Sequence, residues 1–345
     1  MSCGDVARPE SVSGSIDGKR LKGMSVAFGL ASLLLGTALI GWFGFGRVVD
    51  ATLSVGAWGF AAICAWQFVL FVVLGLSWYV LLPADQTWRL WALVSGRMVR
   101  DAAGTCLPFS RIGGFVFGAR AMVLHGVTWP TAIASTVVDL TAEFLAQLAL
   151  VLIGVLVLSV RSPGSSLTLP ICIGLVVALI AGLAFGWLQG GCGGAAPLMR
   201  LSSRILGNRV PDAAAQMAAI QKVLTAIYST PRRVAFCIVL HLLAWFGTGF
   251  ASWIAFRLLG ADIDFVGALA IEALLHAVLA IAIIVPGHAG VQEAAYAGIG
   301  ALFDQPPEFA LAVSLLWRAR DLALGVPILL IWQIVELRRR RAGQS

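Results

Sequence analysis

Apolar residues in this chain come in long blocks, separated by short polar breaks. Long, predominantly apolar runs cover residues 24–46, 57–82, 130–160, 167–188, 233–258 and 308–336. At about 1.5 Å per helical residue each is long enough to cross about 30 Å of hydrocarbon, so each predicts a membrane-spanning helix. Two further stretches, residues 88–127 and 265–304, are apolar but broken midway by Pro and Gly, at Leu107-Pro108-Phe109-Ser110-Arg111-Ile112-Gly113-Gly114 and at Val285-Pro286-Gly287-His288-Ala289-Gly290. Each predicts two short helices meeting at a turn, a re-entrant hairpin that returns to its starting face. The expected fold is all-α: a polytopic integral membrane protein with about six full spans and two Pro/Gly-broken hairpins.

The order of these elements repeats. Residues 57–160 and 233–336 each read as span, broken hairpin, span, and an odd number of crossings between them turns the second copy over. Such inverted repeats with interrupted helices place a substrate site near the membrane midplane in many transporters. Residues 1–23 form a polar amino-terminal segment, 24–337 a single membrane domain, and 338–345 a basic tail.

Composition agrees with this layout: 59% of the residues are hydrophobic, 12% are charged and the mean hydropathy is +0.92. No polar stretch is long enough for a tethered soluble catalytic domain. The net charge of +7 sits in loops rather than in a separate nucleic-acid-binding region. With the amino terminus, residues 83–100, residues 189–233 and the tail on one face, that face holds seventeen Lys and Arg, against Arg47, Arg161 and Arg257 opposite. The positive-inside rule makes the richer face cytoplasmic, with both termini on it. The six cysteines are scattered, without metal-ligand spacing, and neither a metal nor another cofactor is expected.

Ten charged residues fall inside the expected membrane segments: Arg111, Arg120, Arg318, Arg320, Asp101, Asp139, Glu143, Glu272, Glu293 and Asp321. Facing lipid, each would cost about 2.5–3.5 kcal/mol on an insertion scale, so they are expected to face one another or water. Ser135, Asp139, Glu143 and Gln147 recur every four residues and share one helix face; Ser314, Arg318 and Asp321 share another. Asp139 and Arg318 both lie near the middle of their spans. The functional reading is a polar cavity where Arg318, Arg111 and Arg120 meet an anionic headgroup, with Ser314 beside them, while Asp139, Glu143, Asp321 and Glu272 balance charge or carry protons. The competing reading is an ion-pair network that only joins helices. The loop containing Gly287, His288 and Gly290 precedes a half-helix whose free N–H groups favour an anion, with Glu293 in its first turns and His288 as a further proton carrier. Gly182, Gly186 and Gly190 form a small-residue face suited to close helix packing. The stretch 213–228 is amphipathic and is expected on the anionic leaflet.

The Val285–Glu293 segment, the run Trp317-Arg318-Ala319-Arg320-Asp321-Leu322 and Gly325-Val326-Pro327 resemble the lysylphosphatidylglycerol synthase transmembrane, or flippase-like, family. They are most similar to its hopanoid-biosynthesis-associated, HpnL-like branch. The resemblance implies a bacterial inner-membrane protein that moves or presents a lipid, a hopanoid or an anionic or aminoacylated phospholipid, with lipid-biosynthesis enzymes as partners and no nucleic acid. A soluble aminoacyl-transferring domain is not expected here, and His288 stands where a second glycine is usual. The alternatives are an intramembrane lipid-modifying enzyme using Glu293 and His288 as acid and base, and a non-catalytic scaffold of a hopanoid-biosynthesis complex.

Overall fold

In a computed structural model the chain is described at residues 50, 53–82, 90–107, 110–162, 168–190, 213–281, 288 and 290–342. These residues form ten helices and no strand: α1 Gly56–Leu81, α2 Leu90–Cys106, α3 Ser110–Leu124, α4 Trp129–Arg161, α5 Thr168–Gly190, α6 Ala213–Tyr228, α7 Pro231–Leu258, α8 Phe265–Ile281, α9 Val291–Ala301 and α10 Pro307–Ala342. The expected span 24–46 and the turns at Pro108 and at Pro286-Gly287 lie outside the described residues. Helices α1, α4 and α7 are long and apolar enough to cross a membrane. Helices α2 and α8, of 17 residues each, reach only about 25 Å and need their hairpin partners.

The two hairpins form as pairs of short helices. Gly96 lies against Met122, and Gly114 against the Arg100 carbonyl and Gly104, so α2 and α3 run antiparallel. A Cβ on Gly114 would stand 2.6 Å from the Arg100 oxygen, which explains why the Gly114/Gly118 face is glycine. In the second hairpin Glu272 meets Tyr296, and Asp262 just before α8 meets Gln305 just after α9.

The two copies of span, hairpin, span are inverted. Gly59 faces Leu258, Trp66 donates to the Gly247 carbonyl at 2.8 Å, Ser77 reaches His241, and Arg233 bonds the Leu82 carbonyl, so α1 and α7 are antiparallel along their length. Each closing span also packs on the opposite copy's hairpin: α4 on α8, through Gly154 and the Gln147 bond to the His276 carbonyl, and α10 on α2, where Gly325 abuts Cys106. One apolar core surrounds the second hairpin, with Phe256, Ile271, Leu274, Val313 and Leu316 buried; another surrounds the first, with Trp78, Leu93, Met122 and Val138.

Three differences from the sequence reading have physical causes. Residues 90–100 are not loop but the first turns of α2, and Arg97 and Arg100 are buried there, so these two do not belong with the loop residues counted above. Helix α10 continues past residue 337 into the basic tail because Arg339 bonds the Leu124 carbonyl and Glu336 pairs with Arg120. Helix α6 lays its apolar side, Leu224 and Ile227, on the first core, and its Tyr228 hydroxyl donates to Gln189, which in turn bonds Thr141. Gly182 does pack closely, against Phe144, while α5 turns Ile173, Val177, Ile180 and Leu183 outward.

Candidate functional site

The first polar centre forms where α2, α4, α1 and α7 meet. Arg97 and Arg100 are three residues apart and share one face of α2; the stripe on α4 brings Asp139 and Glu143 opposite them. Asp139 Oδ2 accepts from Arg100 at 2.5 Å and Arg97 at 3.2 Å, while Oδ1 accepts from His241 at 2.8 Å and Ser77 at 3.1 Å. Arg97 also bonds both oxygens of Glu143, at 3.2 and 3.3 Å, and Asp101 one turn along α2; Arg100 holds Glu143 as well. The ring of Phe115 lies 4.5 Å beneath the Arg100 guanidinium. Arg97, Arg100 and Asp139 are buried at 3%, 5% and 0% exposure, yet the side chains of Glu143 and Asp101 keep 22% and 28%. The centre is thus sealed on the His241 side and reachable on the Glu143 side.

The second centre lies in the inverted copy. Glu272 is buried on α8, accepts from the Tyr296 hydroxyl and from Trp317 Nε1, and has His276 one turn away at 3.6 Å. Beside it, Arg318 on α10 donates to Glu293 on α9 at 2.6 Å, and Gln292 donates to Ser314 at 3.1 Å. Glu293 sits in the first turn of α9, whose preceding Gly290 has φ +76°; His288 has φ +50°, in the left-handed region that glycine favours. The chain holds a histidine in a glycine conformation at this entry to α9.

The two centres correspond. Ser77, Arg97 and Asp101 recur 175 positions later as Ser252, Glu272 and His276, in α7 and α8. In each copy the charged residue of the hairpin arm bonds its own closing span: Arg97 to Asp139, Glu272 to Trp317. The copies therefore share a polar position but fill it with opposite charge.

The residues expected to form one cavity distribute as follows. Asp139 and Glu143 pair with Arg97 and Arg100, whereas Arg318, Glu293, Ser314 and Gly290 gather around α9 and α10. Arg120 turns to Glu336 near the end of α10. Asp321 pairs with its neighbour Arg320, whose guanidinium lies 4.6 Å over the Trp317 ring. Arg111 begins α3, and Gly287 lies outside the described residues. Arg97, Arg100 and His241 were not in the expected set. The signal for them was present: Arg97 and Asp101 are spaced i, i+4 inside the apolar stretch 88–127, where neither belongs in a loop.

Asp139, Cys237 and His241 also bring their ligand atoms within 4.8 Å of one another, a grouping that could hold a metal ion. The charge around them argues against one: both oxygens of Asp139 are already taken, and two guanidiniums would repel a cation.

Residues 29–328 of the chain match the family described as the lysylphosphatidylglycerol synthase TM region. No curated protein and no solved structure matches the chain.

Proposed function

The chain belongs to the lysylphosphatidylglycerol synthase TM region family, and from that premise we propose that it moves a lipid, a hopanoid or an anionic or aminoacylated phospholipid, between the leaflets of a bacterial inner membrane. The observation that carries this reading is the buried Arg97–Asp139–Arg100–Glu143 network with one accessible edge. Helices held together for stability alone would be joined at lower cost by apolar packing, because each ion stripped of water loses several kcal/mol of hydration, on the order of what its partner returns. A headgroup phosphate has the fork geometry of a carboxylate, so it can replace Glu143 between Arg97 and Arg100. The inverted copies then supply alternating access. The first hairpin, with Arg111 and Arg120, serves one face. The second, with Gly287, Gly290, Ser314, Glu293 and Arg318, serves the other. Glu272, Asp321 and His288 balance charge on that side. The excess of basic residues on one face supports cytoplasmic termini.

The test is reconstitution into liposomes carrying a short-chain fluorescent phosphatidylglycerol, with quencher accessibility reporting the leaflet. Protein vesicles exchange the probe faster than empty ones, and Arg97→Ala and Arg100→Ala slow that exchange at least about tenfold, the loss of one charge-assisted contact. Exchange no faster than in empty vesicles overturns the reading, and a chemically altered probe replaces it with an enzyme.

A further inference from the structure

The first centre holds an unbalanced charge and a base positioned to correct it. Arg97 and Arg100 supply two positive charges, while Asp101, Asp139 and Glu143 supply three negative ones. His241 decides the total. Its Nε2 lies 2.8 Å from Asp139 Oδ1, so the carboxylate fixes the tautomer with hydrogen on Nε2. That leaves Nδ1 as a bare lone pair, and this atom is buried with no hydrogen-bond partner among the described residues. His241 itself is 1% exposed.

An unmatched imine nitrogen beside a carboxylate, in a centre short of one positive charge, is a proton-binding position. Resting on the lipid-transport reading above, we propose that His241 takes up one proton at Nδ1 when an anionic headgroup enters, so that headgroup and proton cross together. A phosphodiester displacing Glu143 adds a second excess negative charge next to Asp139. Nδ1 is sealed from solvent in the arrangement described, so the Nδ1–H bond forms with a proton from water as the centre opens to the headgroup, offsetting one charge, and it breaks on the far side, returning the proton as the lipid leaves. The imidazolium keeps its Nε2–H bond to Asp139 throughout, so neither loading nor release disturbs the helix contact.

Among the described residues, Asp139 on α4 and Ser77 on α1 touch His241, and the other groups of the centre stand around Asp139. From α2 they are Arg97, Arg100 and Asp101, from α4 Glu143, and from α7 itself Cys237 at 4.0 Å from Asp139. From α6 and α5, Tyr228 and Gln189 are occupied with each other. Helix α8 places His276 against Trp245, one turn farther along α7. Helix α10 directs Arg318 to Glu293 and Arg320 to Asp321.

His241→Gln is the discriminating variant, because the glutamine amide still donates to Asp139 but cannot accept a proton. In the same vesicles, acidifying the side from which the probe leaves speeds exchange by wild-type protein up to roughly tenfold per pH unit, the ceiling for one proton per lipid. H241Q, whatever its basal rate, shows the same rate with and without the gradient. A gradient response that survives in H241Q overturns the proton site, as does a wild-type rate indifferent to the gradient. If the protein moves no probe at all, transport fails, and the proton site is decided separately. Ring nitrogens of 15N-histidine protein in nanodiscs report an imidazolium, missing from H241Q, when phosphatidylglycerol replaces phosphatidylcholine at fixed pH. A ring that stays neutral in both lipids overturns the inference.

Discussion

Arg97 and Glu272 occupy the same place in two antiparallel copies of one helical unit, yet one is a cation and the other a carboxylate. Arg97 closes an ion network with the buried Asp139 and the partly exposed Glu143. Glu272 closes a compact bond set with Tyr296 and Trp317, within a core that is otherwise apolar. Duplicated geometry thus carries different bonding: a charged network with a partly exposed edge in the first copy and a compact buried joint in the second.

Removing Arg97 should destabilise the protein as well as slow lipid exchange. R97A leaves Asp139 and Glu143 short of a partner in a buried place, a loss of about 3–5 kcal/mol for a broken buried pair. Thermal unfolding in detergent measures it. Arg100→Ala combined with Glu143→Gln should cost less than the two separate losses added, because both remove the same contact.

Glu272→Gln should behave differently. The amide keeps an acceptor for Tyr296 and Trp317, so thermal stability changes by about 1 kcal/mol or less. Glu272→Ala leaves the Trp317 N–H without its carboxylate acceptor and opens a cavity, and unfolding should shift by about 2–4 kcal/mol. A large effect of the glutamine variant on stability would show that the charge itself is needed.

Glycine sets how closely the hairpin arms approach the leading spans. A Cβ at Gly75 would stand 2.8 Å from Val94 Cα, and one at Gly249 2.4 Å from Leu269 Cδ1. G75A meets backbone and should cost about 1–3 kcal/mol, while G249A meets the end of a leucine that can turn aside and should cost less. Paired melting curves give the order.

The antiparallel contact of α1 and α7 is testable by cross-linking. Cysteines replacing Gly59 and Leu258 should be joined by a short bifunctional reagent, because a Cβ at 59 lies 3.1 Å from Leu258 Cδ1. Cysteines at Gly59 and Arg233 should not, since Arg233 sits beside Leu82 at the other end. A cross-link in the second pair would refute the inverted arrangement.

Asp264 offers a pH test outside the spans. It accepts the Gly267 N–H at 3.0 Å, capping α8, and both its oxygens bond Arg161; these contacts hold its carboxyl below the ordinary aspartate range. Because the folded value is the depressed one, its stabilisation is complete above the unfolded pKa of about 3.9 and is lost as pH falls through the folded one. The pair is largely exposed, so D264N should lower stability by about 1 kcal/mol or less at pH 7, and that deficit should shrink as the pH falls below the unfolded pKa.

Much of the architecture was legible in the chain. The Pro and Gly breaks divided the two hairpins correctly, and the four-residue stripe on α4 identified the polar face that bears Asp139 and Glu143. Arg318 and Glu293 were singled out and do meet. Arg97 and Arg100 escaped because a basic residue near a predicted loop is as easily solvent-facing as buried. His241 escaped because it bonds to Asp139 from a helix 102 positions away.

Hydropathy and the 3.6-residue period by themselves determined the membrane class, the order of the helices and which side chains cannot face lipid, since these follow from local length and spacing along one helix. Which arginine answers which carboxylate was decided only by tertiary structure. That choice depends on how each helix is rotated about its axis, and the rotation is set by packing at positions such as Gly75 against Val94 and Gly154 against Ala273, on helices far apart in sequence.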